Sequence, residues 1–241
     1  MKRVITILMV LCVSVALFAA TGATVKVGGA FNFVTGGTKD FADGEVTIDD
    51  SAAKYKSSGI GFDVAGSFDL SKELKAWADF NMVFGFDAKF KMAYEDDWTS
   101  MDDQYKEAKE SFGDKAYKKL YMISAGAGVA YKLNLNAPVD VSVGGGVFFE
   151  RVFGKVGAKD GDDEIYEEFK AINLGVSLYA DVAYKFNDNF GISLTAMPHI
   201  GIYNSSTLTL EGFYPETLEE KAKGISISFS MPIALGATYS F

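Results

Sequence analysis

The single histidine of the chain is the first residue that could take part in chemistry. His199 lies in a segment of alternating apolar and small residues, with Thr195, Met197 and Gly201 on its own face. Hydrolysis by a nucleophilic serine needs a histidine that takes the serine proton and an acid that orients the histidine. No serine stands two residues from His199. We therefore interpret it as a hydrogen-bonded interior side chain and predict that the protein is not an enzyme.

Clustered carboxylates in the connecting segments are the second candidate. The stretch KDGDDE contains Asp160, Asp162, Asp163 and Glu164, and shorter clusters occur at 49–50 and 95–97. Carboxylate oxygens are ligands that Ca²⁺ and Mg²⁺ prefer. The spacing does not match an EF-hand loop, and acidic loops are commonly just solvated. We expect no metal or cofactor and keep these four residues only as candidate ligands.

Charged residues of alternating sign recur near three short connectors. They lie on the face that carries small residues: Asp69, Lys75, Lys132, Asp140, Asp181 and Lys185, with Asp63 and Asp79 farther from the connectors. Isolated buried charges are costly, so we expect these side chains to be paired. They would form either a polar pathway or an ion-pair plug that fixes strand register. We favour the plug, and Lys132→Met should then lower the unfolding midpoint.

Strict alternation identifies the elements that carry these residues. Apolar side chains recur at every second position in eight runs: 24–33, 60–69, 74–87, 121–133, 139–149, 172–186, 190–202 and 225–241. The same rhythm extends the third run through Phe90, Met92 and Tyr94. Period two indicates strands with one apolar and one polar face. A tilted strand crosses a bilayer in about 9–11 residues, so each run is long enough to span one.

Short and long connectors alternate along the chain. Turn-forming residues fill the short connectors at 70–73, 134–138 and 187–189, whereas the long ones cover roughly 35–57, 95–119, 154–170 and 203–223. This rhythm is typical of a barrel with short periplasmic turns and long extracellular loops. In the second long connector, Ser100 and Asp103 form a variant capping box, helical spacing follows, and Gly113 ends the segment. A short helix is expected there, and a disordered acidic loop is the alternative.

The volume of the two faces decides which one points outward. A soluble lipocalin also has eight strands but turns its apolar face inward. Here the apolar face holds on the order of fifty side chains, many of them bulky, whereas an eight-stranded lumen is just wide enough to be filled by its own side chains. Aromatic residues also gather at both ends of the runs, as they do at membrane interfaces. The predicted fold is an all-β, eight-stranded, antiparallel, up-and-down transmembrane barrel.

The amino terminus reads as an export signal. Lys2 and Arg3 precede a short apolar run and small residues, which is the pattern of a signal peptide over residues 1–20, with cleavage after Ala19, Ala20 or Ala23. Residues 21–241 would then form the barrel domain. Removing the two cations changes the formal net charge from −9 to −11. Such an acidic chain is a poor partner for nucleic acid.

The leader, the strand count, the loop rhythm and the terminal phenylalanine together resemble the small bacterial outer-membrane β-barrel proteins. These include OmpX-like, OmpW-like and OmpA-type transmembrane domains, among which the subfamily is not resolved. The ending ATYSF, with Tyr239 and Phe241 on the apolar face, resembles the carboxy-terminal assembly signal of that group. The resemblance implies a location in the outer membrane, contact with its lipid, and recognition by the barrel-assembly machinery.

Two prolines interrupt the last two runs. Pro198 and Pro232 each remove a ladder hydrogen bond, which is typical of a bulge that adds curvature. The resemblance to OmpW-like barrels implies an alternative, since their wall opens laterally to release apolar molecules. Prolines at similar height would loosen the wall between the last two strands. We favour the bulge, and a ladder broken at both prolines would indicate an opening.

These observations predict a non-enzymatic outer-membrane barrel that has a structural role or passes small solutes, apolar ones included. One alternative is a surface-exposed interaction or adhesion barrel whose acidic loops contact host or environmental ligands. Another is a lipid-modifying enzyme. A lumen continuous from end to end would favour passage, and a plugged lumen with ordered, protruding loops would favour interaction. A serine hydroxyl within reach of His199 would favour the enzyme.

Overall fold

The computed structural model describes residues 23–37, 54–91, 98–133, 135, 138–160, 163–212 and 218–241. Strands β1 to β6 are Ala23–Gly37, Lys54–Asp69, Leu74–Lys91, Ala116–Leu133, Val139–Asp160 and Asp163–Lys185. Strand β7 has two segments, Phe190–Ala196 and His199–Glu211, and so does β8, Leu218–Ser230 and Ile233–Ser240. A two-residue strand, Thr99–Ser100, pairs with β3 and leads into helix α1, Met101–Phe112. A 3₁₀ turn, Gly113–Lys115, follows the helix.

The strands form a closed antiparallel ring. Each strand pairs with the next along the chain, and β8 pairs with β1 through partners such as Val25 and Tyr239. Following the paired residues once around the ring from Thr24 returns to β1 at Val34, ten residues farther along. This stagger tilts the strands, as barrel closure requires. The predicted eight-stranded antiparallel barrel is confirmed.

The two faces of the wall differ in the way that the alternation predicts. Large apolar side chains cover the outside, with Val147, Phe186 and Leu235 among the most exposed. Small and polar side chains point inward, and Asn32 and Glu150 are fully buried. Because the bulky face lies outside, the lipocalin-like alternative is excluded.

The extracellular strand ends extend farther than predicted. Residues 154–160 and 163–170 belong to β5 and β6, and much of 203–223 belongs to β7 and β8, although these stretches were expected to be loops. Above the membrane both faces of a strand meet water. Alternation therefore fades there, and the sequence no longer distinguishes a strand from a loop.

A bulge between β2 and β3 reverses the orientation of one predicted outward residue. Gly59 pairs with Gly85, but Ser58 pairs with Asp87, so β3 carries one extra residue. A shift of one residue exchanges the two faces of a strand. Phe90 is consequently buried in the lumen instead of lying on the outer face.

The helix predicted in the second long connector is confirmed, and the disordered loop is wrong. The Ser100 hydroxyl accepts a hydrogen bond from the Asp103 amide at 3.4 Å, and Gly113 ends the helix at a positive φ of 59°. Lys106 donates to Asp103 at 2.8 Å, and this bond lowers the pKa of the Asp103 carboxyl. No helix in the described part of the chain is long and apolar enough to cross a membrane.

Two of the tight turns use a side-chain acceptor. The Ser71 hydroxyl accepts bonds from the amides of Glu73 and Leu74. The Asn187 carboxamide accepts bonds from the amides of Asn189 and Phe190. Such side chains hold a turn in place of the backbone, which explains why the predicted short connectors are tight.

Candidate functional site

A cavity of about 460 Å³ opens at the turn end of the barrel. Predicted lumen charges line its mouth as two cross-strand pairs. Lys132 lies 2.7 Å from Asp69, and Lys185 lies 2.7 Å from Asp140. The Asp69 side chain is 60% exposed, and the Lys185 and Asp140 side chains are each about half exposed. Water screens such pairs, so they contribute little to stability.

Deeper in the lumen the charges form a continuous buried chain. Lys75 lies 3.3 Å from Asp181, and Lys26 lies 2.8 Å from Asp63. Thr195 joins the two pairs, since its hydroxyl accepts from Lys26 at 2.7 Å and donates to Asp181 at 2.7 Å. The chain links β1, β2, β3, β6 and β7 through the interior, and each charge in it has an opposite partner.

Asp79 lies beside this chain. Asn81 donates to its carboxylate at 3.3 Å, and Asn81 is the direct strand partner of Asp63. Sequence reasoning placed Asp63 and Asp79 in the lumen but missed Lys26, which belongs to the small face of the first run. Parity along β1 was the available signal, because Lys26 alternates with Val25 and Val27.

An aromatic pair forms the floor of the cavity. The rings of Trp77 and Tyr179 stack at 4.7 Å with an interplanar angle of 16°. The Lys75 ammonium lies 5.3 Å from the centre of the Tyr179 ring. Met197 and Ala130 complete this buried cluster. These side chains separate the open cavity from the centre of the barrel.

A second polar layer fills the lumen beyond this floor. Glu150 is fully buried and accepts bonds from Asn173 at 2.9 Å and Asn32 at 3.2 Å. The Tyr55 hydroxyl donates to Asn173 at 2.6 Å, and Asn204 donates to Tyr55 at 2.8 Å. Sequence reasoning missed Glu150 because the fifth run was ended at Phe149, although its parity continues that of Gly144 and Gly146.

An apolar cluster closes the extracellular half of the barrel. Its members come from most strands of the ring: Val34, Tyr55, Val83, Phe90, Leu120, Met122, Val152 and Phe169. Phe90 and Phe169 stack at 5.9 Å in nearly parallel planes. Helix α1 covers the cluster through the fully buried Met101. Packed side chains therefore occupy the lumen from the aromatic floor to the helix.

His199 does have a serine within reach, on the neighbouring strand. The Ser230 hydroxyl lies 3.2 Å from His199 Nδ1. In a hydrolase the acid bonds to the imidazole, whereas the Glu150 carboxylate accepts its bonds from Asn32 and Asn173. The imidazole stacks on Phe148 at 4.2 Å, and both His199 and Ser230 are buried. This burial and stacking favour an interior hydrogen-bonded histidine.

The two prolines lie opposite each other but weaken different seams. The pairs Ala196–Ile233 and His199–Ser230 lie on either side of the prolines, and the pairing of β7 with β8 has the same offset at both. Between them the Met197 amide donates to the Pro232 carbonyl at 2.9 Å. Pro232 therefore removes one bond between β7 and β8. Pro198 faces β6, where the Leu178 amide donates to its carbonyl. The Ser177 hydroxyl bonds to the Leu178 carbonyl that Pro198 leaves free, at 3.0 Å. This geometry favours local loosening over an opening of the wall.

The candidate metal ligands lie mostly outside the described part of the chain. This holds for Asp162 and for the side chains of Asp160 and Asp163. Glu164 is described, and it bonds to Tyr117 and to Lys155. These bonds, chiefly that from Tyr117, lower the pKa of the Glu164 carboxyl. Among the described residues no three His, Cys, Asp or Glu side chains are arranged to hold a metal.

Helix α1 and the extended β5–β6 hairpin form one extracellular unit. Gln104 bonds to Glu167, and Lys118 on β4 bonds to Asp102. The Lys155 ammonium lies 3.4 Å from the centre of the Tyr166 ring. The hydrogen bond to Glu211, followed by burial, raises the pKa of Tyr166 to about 12. These contacts connect the helix, the hairpin and β7 above the membrane.

Aromatic side chains lie on the outer face at both ends of the wall. Near the turns, Phe190 packs edge-on against Tyr239, and Tyr239 packs against Phe241. Near the loops, Tyr121 stacks on Phe153 at 4.7 Å. The Phe241 amide donates to the Ala23 carbonyl at 3.0 Å, so the last residue is tied to the first strand.

A sequence profile of a domain of unknown function, DUF2715, matches residues 21–241. The chain belongs to this family. No curated protein matches the sequence of this DUF2715 member. Solved structures share its fold, and they include the following two. A major outer membrane protein from Thermus thermophilus is 15% identical, with a TM-score of 0.53 over 88% of this chain and 99% of that one. The outer membrane protein OprG from Pseudomonas aeruginosa is 10% identical, with a TM-score of 0.54 over 92% and 96%.

These likenesses agree with the apolar outer wall and its two aromatic girdles. The DUF2715 member is an integral β-barrel of the bacterial outer membrane, in contact with membrane lipid. The predicted fold class and location are therefore confirmed, and the subfamily among small outer-membrane barrels stays unresolved.

Proposed function

We propose that this protein is a non-enzymatic outer-membrane barrel that does not conduct solutes and acts through its extracellular unit. The observation that carries the proposal is the filled lumen. The aromatic floor, the Glu150 layer and the apolar cluster lie in succession between the periplasmic cavity and α1. Passage of small solutes was the first expectation from the sequence, and a continuous lumen was the feature that would have favoured it.

The extracellular unit supports a role in interaction. A helix held by a cap, by Met101 and by bonds to β4 and β6 presents a preorganised surface, which lowers the entropic cost of binding. Host or environmental ligands at this surface are the partners we propose. The Ser230 hydroxyl beside His199 is the feature that would favour an enzyme, and its burial argues against that alternative.

The test of the closed lumen is current across a planar bilayer. Refolded protein should leave the membrane silent, and a heat-modifiable band on a gel should show that the inserted protein is folded. Discrete, reproducible conductance steps from the folded protein would contradict the proposal and return passage of small solutes to first place. In that case the charges at Lys75, Asp79, Lys132 and Asp181 become the candidates for ion selectivity.

The role of the extracellular unit needs a second measurement. Vesicles carrying the protein are tested for binding to immobilised extracellular-matrix glycoproteins. The variant has residues 101–112 replaced by a Gly-Ser linker of equal length. Binding should occur with the natural chain and fall with the variant. Equal binding by both, with both barrels folded, would rule out α1 as the contact surface for these ligands.

Export and assembly are proposed on the sequence alone. Residues 1–20 would act as a signal peptide, and residues 21–241 as the barrel domain. Tyr239 and Phe241 would be read by the barrel-assembly machinery. The amino-terminal sequence of protein purified from outer membranes tests the first proposal, and a start at residue 1 would contradict it. Deletion of Phe241 should lower the amount assembled in cells more than it lowers refolding in detergent.

A further inference from the structure

An arginine lies on the outer wall of the barrel. Arg151 is the only arginine after Arg3. It has the same parity along β5 as Phe149 and Phe153, which face outward, and it alternates with Glu150 and Val152, which are buried in the lumen. A guanidinium is always charged and is expensive to place against hydrocarbon. Its position therefore calls for a partner.

The strand register shows what surrounds Arg151. On the outer face, Ile123, Arg151 and Ile172 form one row across β4, β5 and β6. The row toward the extracellular side is Tyr121, Phe153 and Lys170, and the row toward the periplasm is Ala125, Phe149 and Leu174. All eight neighbouring positions are described, and none is a carboxylate. Among the described residues Arg151 also forms no ion pair.

The neighbouring rows set the depth of this site. Tyr121 and Phe153 belong to the extracellular aromatic girdle, so Arg151 lies at the inner edge of the interface, one step below the girdle. Its side chain can extend toward the headgroups while its stem stays against the apolar wall. Headgroups of the outer leaflet are therefore within its reach.

Further cations lie just above. The next row across the same strands is Lys119, Lys155 and Glu168. Glu168 bonds to Lys170, and Lys155 bonds to Glu164 at 3.1 Å. These carboxylates are thus engaged with lysines, and the charges of Arg151 and Lys119 are not compensated within the group. The patch attracts anions at the height of lipid headgroups.

We propose that Arg151 binds the phosphate of an outer-leaflet lipid, with Lys119 adding to the attraction. A planar guanidinium donates two parallel hydrogen bonds to phosphate, which a lysine cannot do. The apolar side chains below Arg151 would contact the acyl chains of the same lipid. A headgroup with attached chains fits this wall better than a free anion, which would have no contact with Ile123, Ile172 or Phe149.

The test uses protein in dodecyl maltoside, a detergent without phosphate. Dioleoyl phosphatidic acid is added, and diacylglycerol with the same chains serves as the matched lipid without phosphate. Native mass spectrometry counts bound lipids, and heat-modifiability gives the thermal midpoint. Phosphatidic acid should bind and raise the midpoint, and diacylglycerol should do so far less. Arg151→Met should weaken phosphatidic acid binding roughly tenfold or more, because a charged hydrogen-bonding partner is lost.

Two further variants make the outcome specific. Arg151→Met leaves an apolar side chain on an apolar wall, so the barrel should still fold. Arg151→Lys should retain part of the binding, since it keeps the charge but loses the planar fork. Lys109→Gln also removes one positive charge, but it does so on the exposed end of α1. This variant should bind phosphatidic acid as the natural chain does.

Several results would overturn the proposal. Unchanged phosphatidic acid binding by Arg151→Met would show that the guanidinium is not the ligand. Equal binding of diacylglycerol would show that the phosphate is not recognised. An Arg151-dependent rise of the midpoint with inorganic phosphate alone, equal to that with phosphatidic acid, would indicate a free-anion site instead of a lipid site.

Discussion

At the residue scale, burial divides the lumen charges into two groups that contribute differently to the free energy of unfolding. Lys26 and Asp63 are almost completely buried, whereas Lys132 and especially Asp69 meet water at the mouth of the cavity. Removing one partner of a buried pair leaves an uncompensated charge in a medium that solvates it poorly. Removing one partner of a rim pair leaves a charge that water solvates.

Lys26→Met should therefore destabilise the barrel strongly, by about 3–5 kcal/mol. Lys132→Met should change the free energy of unfolding by only about 0–1 kcal/mol, less than the sequence alone led us to expect. Urea unfolding of the two variants in lipid vesicles measures the difference. Adding Asp63→Asn to Lys26→Met should recover part of the loss. Equal effects of the two single variants would contradict a buried ion-pair network.

At the element scale, α1 depends on a few contacts with the barrel. Ser100 caps its first turn, Met101 inserts beside Gly154 in the apolar cluster, and Tyr105 and Ala108 pack against that cluster. An isolated helix of twelve residues is marginal in water, so docking decides whether it forms. Met101 supplies the largest buried contact of the helix.

Met101→Ala should release the helix from the barrel, because truncating a buried methionine costs about 2–5 kcal/mol. Trypsin should then cleave after Lys106 or Lys109 in folded, membrane-inserted protein at a clearly higher rate. Glu107→Ala is the control, since this side chain is exposed and alanine favours a helix. Resistance of Met101→Ala equal to that of the control would show that other contacts hold α1.

At the scale of the whole molecule, closure between β1 and β8 requires the two strands to approach closely. Gly28 and Gly236 are direct partners on the inner side of this seam. A Cβ on Gly28 would overlap the Leu235 carbonyl, whereas a Cβ on Gly29 would meet only the Gly61 carbonyl at 3.9 Å. Glycine at 28 is therefore a requirement of closure, and glycine at 29 is not.

Gly28→Leu should prevent closure, and Gly29→Leu, which adds the same side chain on the lipid side, should be tolerated. Closed barrels resist SDS and migrate faster before boiling than after it. The fast band should be lost for Gly28→Leu and kept for Gly29→Leu. A fast band of normal intensity for Gly28→Leu would mean that the seam adjusts to a side chain at this position.

The sequence by itself determined the strand number, the order of the strands and the face on which most residues lie. Alternation is a local consequence of the extended backbone, in which successive side chains point to opposite sides. Parity therefore placed Asp63, Lys75 and Asp181 inside and Tyr239 and Phe241 outside before any contact was known. The same parity places Lys26 and Glu150 inside, since Lys26 lies within the first run and Glu150 one residue beyond the end of the fifth.

Only the tertiary structure decided which residues meet across strands. Stagger and bulges set these pairs, and both depend on hydrogen bonds between distant segments and on closure of the ring. Thus Thr195 joins Lys26 to Asp181, Ser230 lies beside His199, and a bulge turns Phe90 inward. The carboxylate-free surroundings of Arg151 follow from the same register. Alternation with a period of two shows on which face of the wall each side chain lies. It does not show the height of one strand relative to the next.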